Sequence, residues 1–228
     1  MDATLQSARL EKARAALAAV QTRVGTSREC WDAPTLPLAP ALSDALPAGL
    51  RRGQVVSVQG STSLVLALVS EASREGSWAA MIGMPNVGVV AAARRGIELS
   101  RLALVPHPGS QAPAVAGACV DGMDVVVMGP RLALTDADRR RLAARARERG
   151  AALISAGPWD GAHVGLTVLR STWSGLGAGD GRLRARDMIV EVTSRAEGPA
   201  RRVALTLEAD VMLRARASVG QASLEGVA

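Results

Sequence analysis

The chain has 228 residues, of which 48% are hydrophobic, and a formal net charge of +6. That length and apolar content exclude wholesale disorder and allow one domain of ordinary size, with a real core and short extensions. Phe and Tyr are absent and Trp occurs four times, so packing must rest on Val, Leu, Ala, Ile and Met.

Nearly all the basic charge is Arg, and Lys12 is the single lysine. Guanidinium forks pair with phosphate in two-point contacts, so such a chain can bind a phosphate backbone. A compositional bias of the source genome towards Arg and Ala is the alternative. Cys30 and Cys119 lie far apart with no ligand spacing around either, which indicates neither a disulfide framework nor a zinc site. The start of the chain has no charged-then-apolar signal segment, and no apolar run reaches membrane-spanning length. A soluble, cytoplasmic protein is expected.

In chain order, residues 1–25 form the first unit, with a helix predicted over 3–24. Leu10, Ala13, Leu17, Val20 and Val24 recur at spacings of three and four and make one apolar stripe. That stripe docks either on its own domain or on a partner chain. Residues 26–50 carry Pro34, Pro37, Pro40 and Pro47, and are expected to be a linker or extended arm. The core is expected over 51–208. Its predicted elements are a buried strand Gln54–Gln59, a helix Leu64–Glu75, a strand Trp78–Met84 and a helix Asn86–Arg95. Next come a strand Leu102–Val105, a helix Ala112–Val120, a strand Asp124–Met128, a helix capped by Thr135 and Asp138 and closed by Gly150, and a strand Ala151–Ala156. Apolar strands alternating with helices imply a parallel sheet covered on both faces. Beyond residue 160 the alternation stops. Strands Val164–Ser171, Arg186–Thr193 and Val203–Leu207, joined by turns at Gly175–Gly181 and Glu197–Pro199, are expected to add antiparallel hairpins, and 209–228 to be a tail.

The order of these elements resembles the RecA core. Leu46–Glu75, "LPAGLRRGQVVSVQGSTSLVLALVSEASRE", resembles its opening: a Leu-Pro-x-Gly approach, a first strand, a phosphate-loop turn and a long helix. The resemblance spans roughly residues 46–208, and the N-terminal helix resembles the RecA polymerisation helix. It implies an α/β fold with a parallel sheet flanked by helices, C-terminal antiparallel strands and a preceding N-terminal helix.

The departures bear on function. A working phosphate loop needs G-x-x-x-x-G-K-[ST], whose backbone N–H groups cradle phosphate while Lys and Ser/Thr hold the outer oxygens and magnesium. Here the turn is Gly60-Ser61-Thr62-Ser63, without the second glycine or the lysine. The strand Asp124–Met128 runs into Gly129-Pro130, where the resemblance would place a magnesium-binding aspartate. Pro85-Asn86 stands where it would place a water-activating glutamate. Three parts of phosphoryl-transfer machinery are missing together, so no ATPase activity, cofactor or metal is expected. Weak phosphate binding at Gly60–Ser63 stays physically open.

Shortened RecA-like chains of this kind resemble the RecA/SulA-like group that holds the ImuA-type mutasome accessory proteins, and most of all their actinobacterial ImuA-prime form. The resemblance implies a non-catalytic accessory role in SOS-induced translesion DNA synthesis. It implies binding to ImuB, a catalytically dead Y-family polymerase homologue, and through it to the DnaE2 error-prone polymerase, with nucleoid association in the complex. Self-association, or contact with RecA, through the N-terminal helix is a further expectation. Two alternatives remain: a SulA-like cell-division inhibitor, and a DNA-binding RecA paralogue that modulates recombination.

His107 and His163 sit in predicted loops without a neighbouring Cys or paired carboxylate, and no nucleophile-elbow sequence occurs. Arg182, Arg184 and Arg186 alternate and would project to one face of a strand, as a stripe able to track a phosphate backbone or as a solvated outer face. Trp159, in "GPWDGAHV", is read as a partner contact or packing residue ahead of a base-stacking one. The candidate partner residues are therefore Leu10, Leu17, Val20, Val24 and Trp159.

Overall fold

The structure, a computed structural model, describes residues 33–176, 181–196 and 198–208. The predicted helix over 3–24, with Leu10, Leu17, Val20 and Val24, lies outside the described residues. So do Cys30 and the tail 209–228.

Residues 33–50 depart from the expected linker. Here β1 (Thr35–Leu36) pairs antiparallel with β2 (Leu50–Arg51), and Leu36, Leu42, Leu46 and Leu50 are buried in the core. Proline breaks regular structure but leaves apolar side chains free to anchor. The irregular backbone meets its own hydrogen-bonding needs through turns, with Leu42 N donating to Ala39 O and Gly49 N to Leu46 O. Arg201 also donates to the carbonyls of Asp44 and Ala45.

Eight strands form the main sheet: β3 (Val55–Gln59), β4 (Ala79–Ile82), β5 (Leu102–Val105), β6 (Val125–Met128), β7 (Ala152–Ser155), β8 (Val164–Leu176), β9 (Gly181–Ser194) and β10 (Arg201–Glu208). Their order is β10-β9-β8-β3-β7-β6-β4-β5, and β9 alone runs against the rest. The helices are α1 (Thr62–Arg74), α2 (Val89–Arg94), α3 (Ala112–Gly122) and α4 (Asp136–Arg149). Strands β4, β6 and β7 are buried along their whole length because helices cover both faces. On one face α1 and α2 pack into a cluster with Leu64, Leu68 and Ala92. On the other, α3 and α4 pack through Ala116, Val120, Leu142 and Ala146. This is the α/β, RecA-like arrangement expected, with antiparallel strands closing it. Among the described residues no helix is long and apolar enough to cross a membrane.

Local chemistry explains the boundaries. The Ser61 hydroxyl accepts from Leu64 N at 3.1 Å and starts α1 two residues before the predicted strand-to-helix switch. In α4 the Thr135 hydroxyl accepts from Asp138 N, and the Asp138 carboxylate accepts from Thr135 N at 3.0 Å, so the capping box forms as read. The Thr135 hydroxyl also donates to the Asp138 carboxylate at 2.6 Å, and that bond, followed by the one from Thr135 N, holds the Asp138 carboxyl below its ordinary range. The helix predicted over Asn86–Arg95 is shorter, because Met84-Pro85-Asn86-Val87 closes a turn through Val87 N and Met84 O at 3.2 Å. Strands β8 and β9 run well past the predicted Ser171 and Arg186, into the expected turn. Their outer parts pair only with each other, so no core beneath them imposes an apolar pattern on the sequence.

Candidate functional site

The carboxyl ends of the parallel strands carry the features relevant to function. At the end of β3, Gly60 has φ +86°, a left-handed conformation that favours glycine, and Val168 lies within 3.4 Å of where a Cβ would stand. Next to it, Arg186 of β9 reaches over the turn. Its Nη1 donates to the Ser61 hydroxyl at 2.8 Å and to Ser63 at 3.4 Å, and its Nη2 donates to Ser171 at 3.0 Å. The guanidinium also lies 5.4 Å from the ring centre of Trp173, its cross-strand partner. A cation from within the chain therefore engages the hydroxyls that a phosphate loop would offer to its ligand.

The stripe of arginines is thereby divided. Arg186 shares the face of β9 that buries Met188, Val190 and Val192 and is half-buried against the loop, so it is not part of a solvated outer face. Arg182 and Arg184 continue that face past the edge of the core and are exposed. Of the two readings of Trp159, partner contact or packing, the structure has the packing one. It is 6% exposed, joins the cluster with Leu142 and Ala146, and carries the Arg139 guanidinium 5.0 Å from its ring centre. His163 is buried, and its Nδ1 accepts from Val55 N at 2.9 Å, a structural tie at the start of β3.

At the ends of β4 and β6 the backbones approach very closely. Gly129 N donates to Ile82 O at 2.8 Å, and a Cβ at 129 would stand 2.0 Å from the Gly83 carbonyl oxygen. No side chain fits there, so position 129, at the strand end where the resemblance would place a magnesium ligand, cannot carry a carboxylate without a backbone shift. Among the described residues no group of three or more His, Cys, Asp or Glu could hold a metal ion. Cys119 is half-buried on α3, and burial pushes its thiol up, away from the reactive thiolate.

A cleft of about 680 Å³ opens beside this crossing. It follows from chain direction: β4 hands the chain to α2 on one face, while β5 and β6 hand it to α3 and α4 on the other. Loops that part over adjacent strand ends leave a crevice, the usual ligand position in open α/β sheets. Met84, Val87 and Leu132 give it an apolar lining, and His107 and Arg131 are its ionisable residues. Sequence reasoning missed it. The signal available was a proline soon after each of the three strands: Pro85, Pro106 and Pro130. A shallower groove of about 750 Å³ runs between α3 and α4. Its charges are mixed: Arg145 and Arg149 pair with Asp121, whose carboxyl they hold below the ordinary range, and Asp138, Arg141 and Glu148 line the same wall.

Comparison with known proteins places these features. The uncharacterized protein Rv3395c of Mycobacterium tuberculosis is 40% identical over 130 residues, covering 55% of this chain. The match spans 64% of that relative, less than two thirds of its length. Residues 44–161 match the family described as the MT3502 N-terminal domain. This stretch contains β3 to β7, the Gly60–Ser63 turn and the cleft, and it stops before the β8–β9 hairpin. It is more than half of the chain, which therefore belongs to the MT3502 N-terminal domain family.

Proposed function

We propose that the chain is a non-catalytic accessory protein, an ImuA-type member of the RecA/SulA-like group that acts in SOS-induced translesion DNA synthesis. It binds an ImuB-type Y-family polymerase homologue and, through it, the DnaE2 polymerase. The observation that carries the non-catalytic reading is Arg186, whose guanidinium takes the Ser61 and Ser63 hydroxyls at the one turn that resembles a phosphate loop. The closed crossing at Gly83 and Gly129 adds to it. The partner assignment rests on the resemblance in element order and on the missing nucleotide residues. Co-expression with an ImuB-type protein tests it: co-elution on gel filtration is expected, and separate elution overturns it. Phosphate release from ATP by the purified chain should stay at background.

A second reading, DNA binding, is favoured by one observation. The outer β8–β9 hairpin exposes Arg182 and Arg184 on the same face as Trp173, which is 41% exposed. Cations interleaved with an aromatic ring suit a single strand. Affinity for an oligonucleotide that falls steeply with salt, and is lost in the Arg182→Ala, Arg184→Ala double variant, would favour this reading. Absence of binding at low salt removes it.

A further inference from the structure

We propose that the cleft over the ends of β4, β5 and β6 is a binding site for an organic anion with an apolar body and one carboxylate. The inference rests on the fold and the lining, and stands whether or not the partner reading above is correct.

Three independent properties converge. The first is position. Strand β4 lies between β6 and β5, and the chain leaves β4 towards one face but leaves both neighbours towards the other. Such a switch point leaves a crevice that the fold itself does not fill. The second is size and stiffness. About 680 Å³ falls within the range of small-ligand sites. Pro85, Pro106, Pro108 and Pro130 fix φ in the surrounding loops, and the Gly83–Gly129 crossing holds two of those loops at van der Waals limits. The walls are thus kept from collapsing into the space. The third is chemistry. Met84, Val87 and Leu132 supply apolar surface, and Arg131 supplies a guanidinium. Among the described residues no carboxylate lines the cleft, in contrast to the α3–α4 groove, where acidic side chains stand among the arginines. Thr62 brings the amino end of α1 to the rim, which adds partial positive charge. An apolar group would desolvate the floor while its carboxylate met Arg131 in a two-point contact.

The same chemistry can come from a free organic acid or from a peptide segment that carries Leu and Glu. The test uses the full chain and follows amide NMR shifts of Gly83, Gly109 and Arg131 during titration. The probes are 3-phenylpropionate, its neutral amide, and an acetylated Leu-Pro-Leu-Glu amide peptide. The acid should bind about tenfold more tightly than the amide, as expected for one charge-assisted contact. Arg131→Gln should bring the acid down to the level of the amide. Ala133→Trp, which fills the cleft from an exposed position, should abolish both. Tighter binding of the peptide than of the free acid identifies a protein segment as the source, and the reverse identifies a small molecule. Equal binding of acid and amide overturns the proposal. So does acid binding unchanged in Ala133→Trp, or no shift at these amides with any probe. Circular dichroism of both variants shows whether the fold is kept.

Discussion

Two regions share the carboxyl edge of one sheet and have opposite fates. Over β3 the Gly60–Ser63 turn is filled by an arginine of the chain itself, which three hydroxyls and a Trp ring receive. Over β4 to β6 a cleft of about 680 Å³ is open among the described residues, with Arg131 in its lining. The difference lies in what stands opposite each opening. The long hairpin of β8 and β9 extends past the end of β3 and carries Arg186 across the turn. Near β5, the far edge of the sheet, no such arm exists among the described residues, and stiff proline loops cannot fold inward. A RecA-like edge can thus be closed at one opening and kept open at another by elements far apart in sequence.

The contrast can be broken at several points. Gly129→Ala should have the largest effect, because its Cβ would collide with the Gly83 carbonyl and force β4 and β6 apart. A loss of about 3 kcal/mol or more is expected in urea unfolding, together with a reshaped cleft. Arg186→Ala should cost roughly 2 kcal/mol, since it removes three hydrogen bonds from one charged donor and its cover over Trp173, while Arg184→Ala on the same strand face should stay within about 0.5 kcal/mol. Equal effects from the two variants would mean that the turn is not sealed by Arg186. Thr135→Ala should cost about 1 kcal/mol by removing the cap of α4, the helix that follows the cleft loop at Pro130–Leu132.

Acid should separate the two regions with the smallest effect. Asp121 and Asp138 have carboxyls lowered from an ordinary value of 3.8 by Arg145 and by Thr135 respectively. A lowered folded-state value contributes stability that is fully present above about pH 3.8 and is lost as pH falls through the lowered value. Both residues tie down α4, on the side of the cleft. The partners of Arg186 are hydroxyls and do not titrate in that range. Hydrogen exchange should therefore rise in α4 below about pH 4 before it rises around Gly60–Ser63.

The parallel half of the fold was legible because burial on both faces writes itself into the residues. Val125-Val126-Val127 and the Thr135–Asp138 box mark a strand and a helix start without reference to anything distant. The outer hairpin was not legible beyond Ser171 and Arg186, since strands that pair only with each other need no apolar face. The packing of residues 33–50 was hidden by prolines, which suggest a linker while Leu36, Leu42 and Leu50 anchor the segment. At the candidate site, the absence of the phosphate-loop lysine could be read directly. The role of Arg186 could not, because its acceptors Ser61 and Ser63 lie more than 120 residues away in sequence and meet it only through β8–β9 pairing. For Trp159 packing was one of the readings, but its neighbours Leu142 and Arg139 of α4 could not be read from the sequence.

The close crossing at Gly83 and Gly129 also constrains how this surface can evolve. A single substitution that placed an acidic residue at 129 would strike a backbone carbonyl before it could reach any ion. A metal ligand at position 129 thus lies more than one mutational step away, through a change at Gly83 or a respacing of β4 and β6. The lining of the neighbouring cleft has no such barrier: exposed Asn86, Arg131 and Ala133 can be exchanged one at a time. Sequence drift in relatives should therefore alter which ligand the cleft accepts far more readily than it alters the closed strand ends beside it.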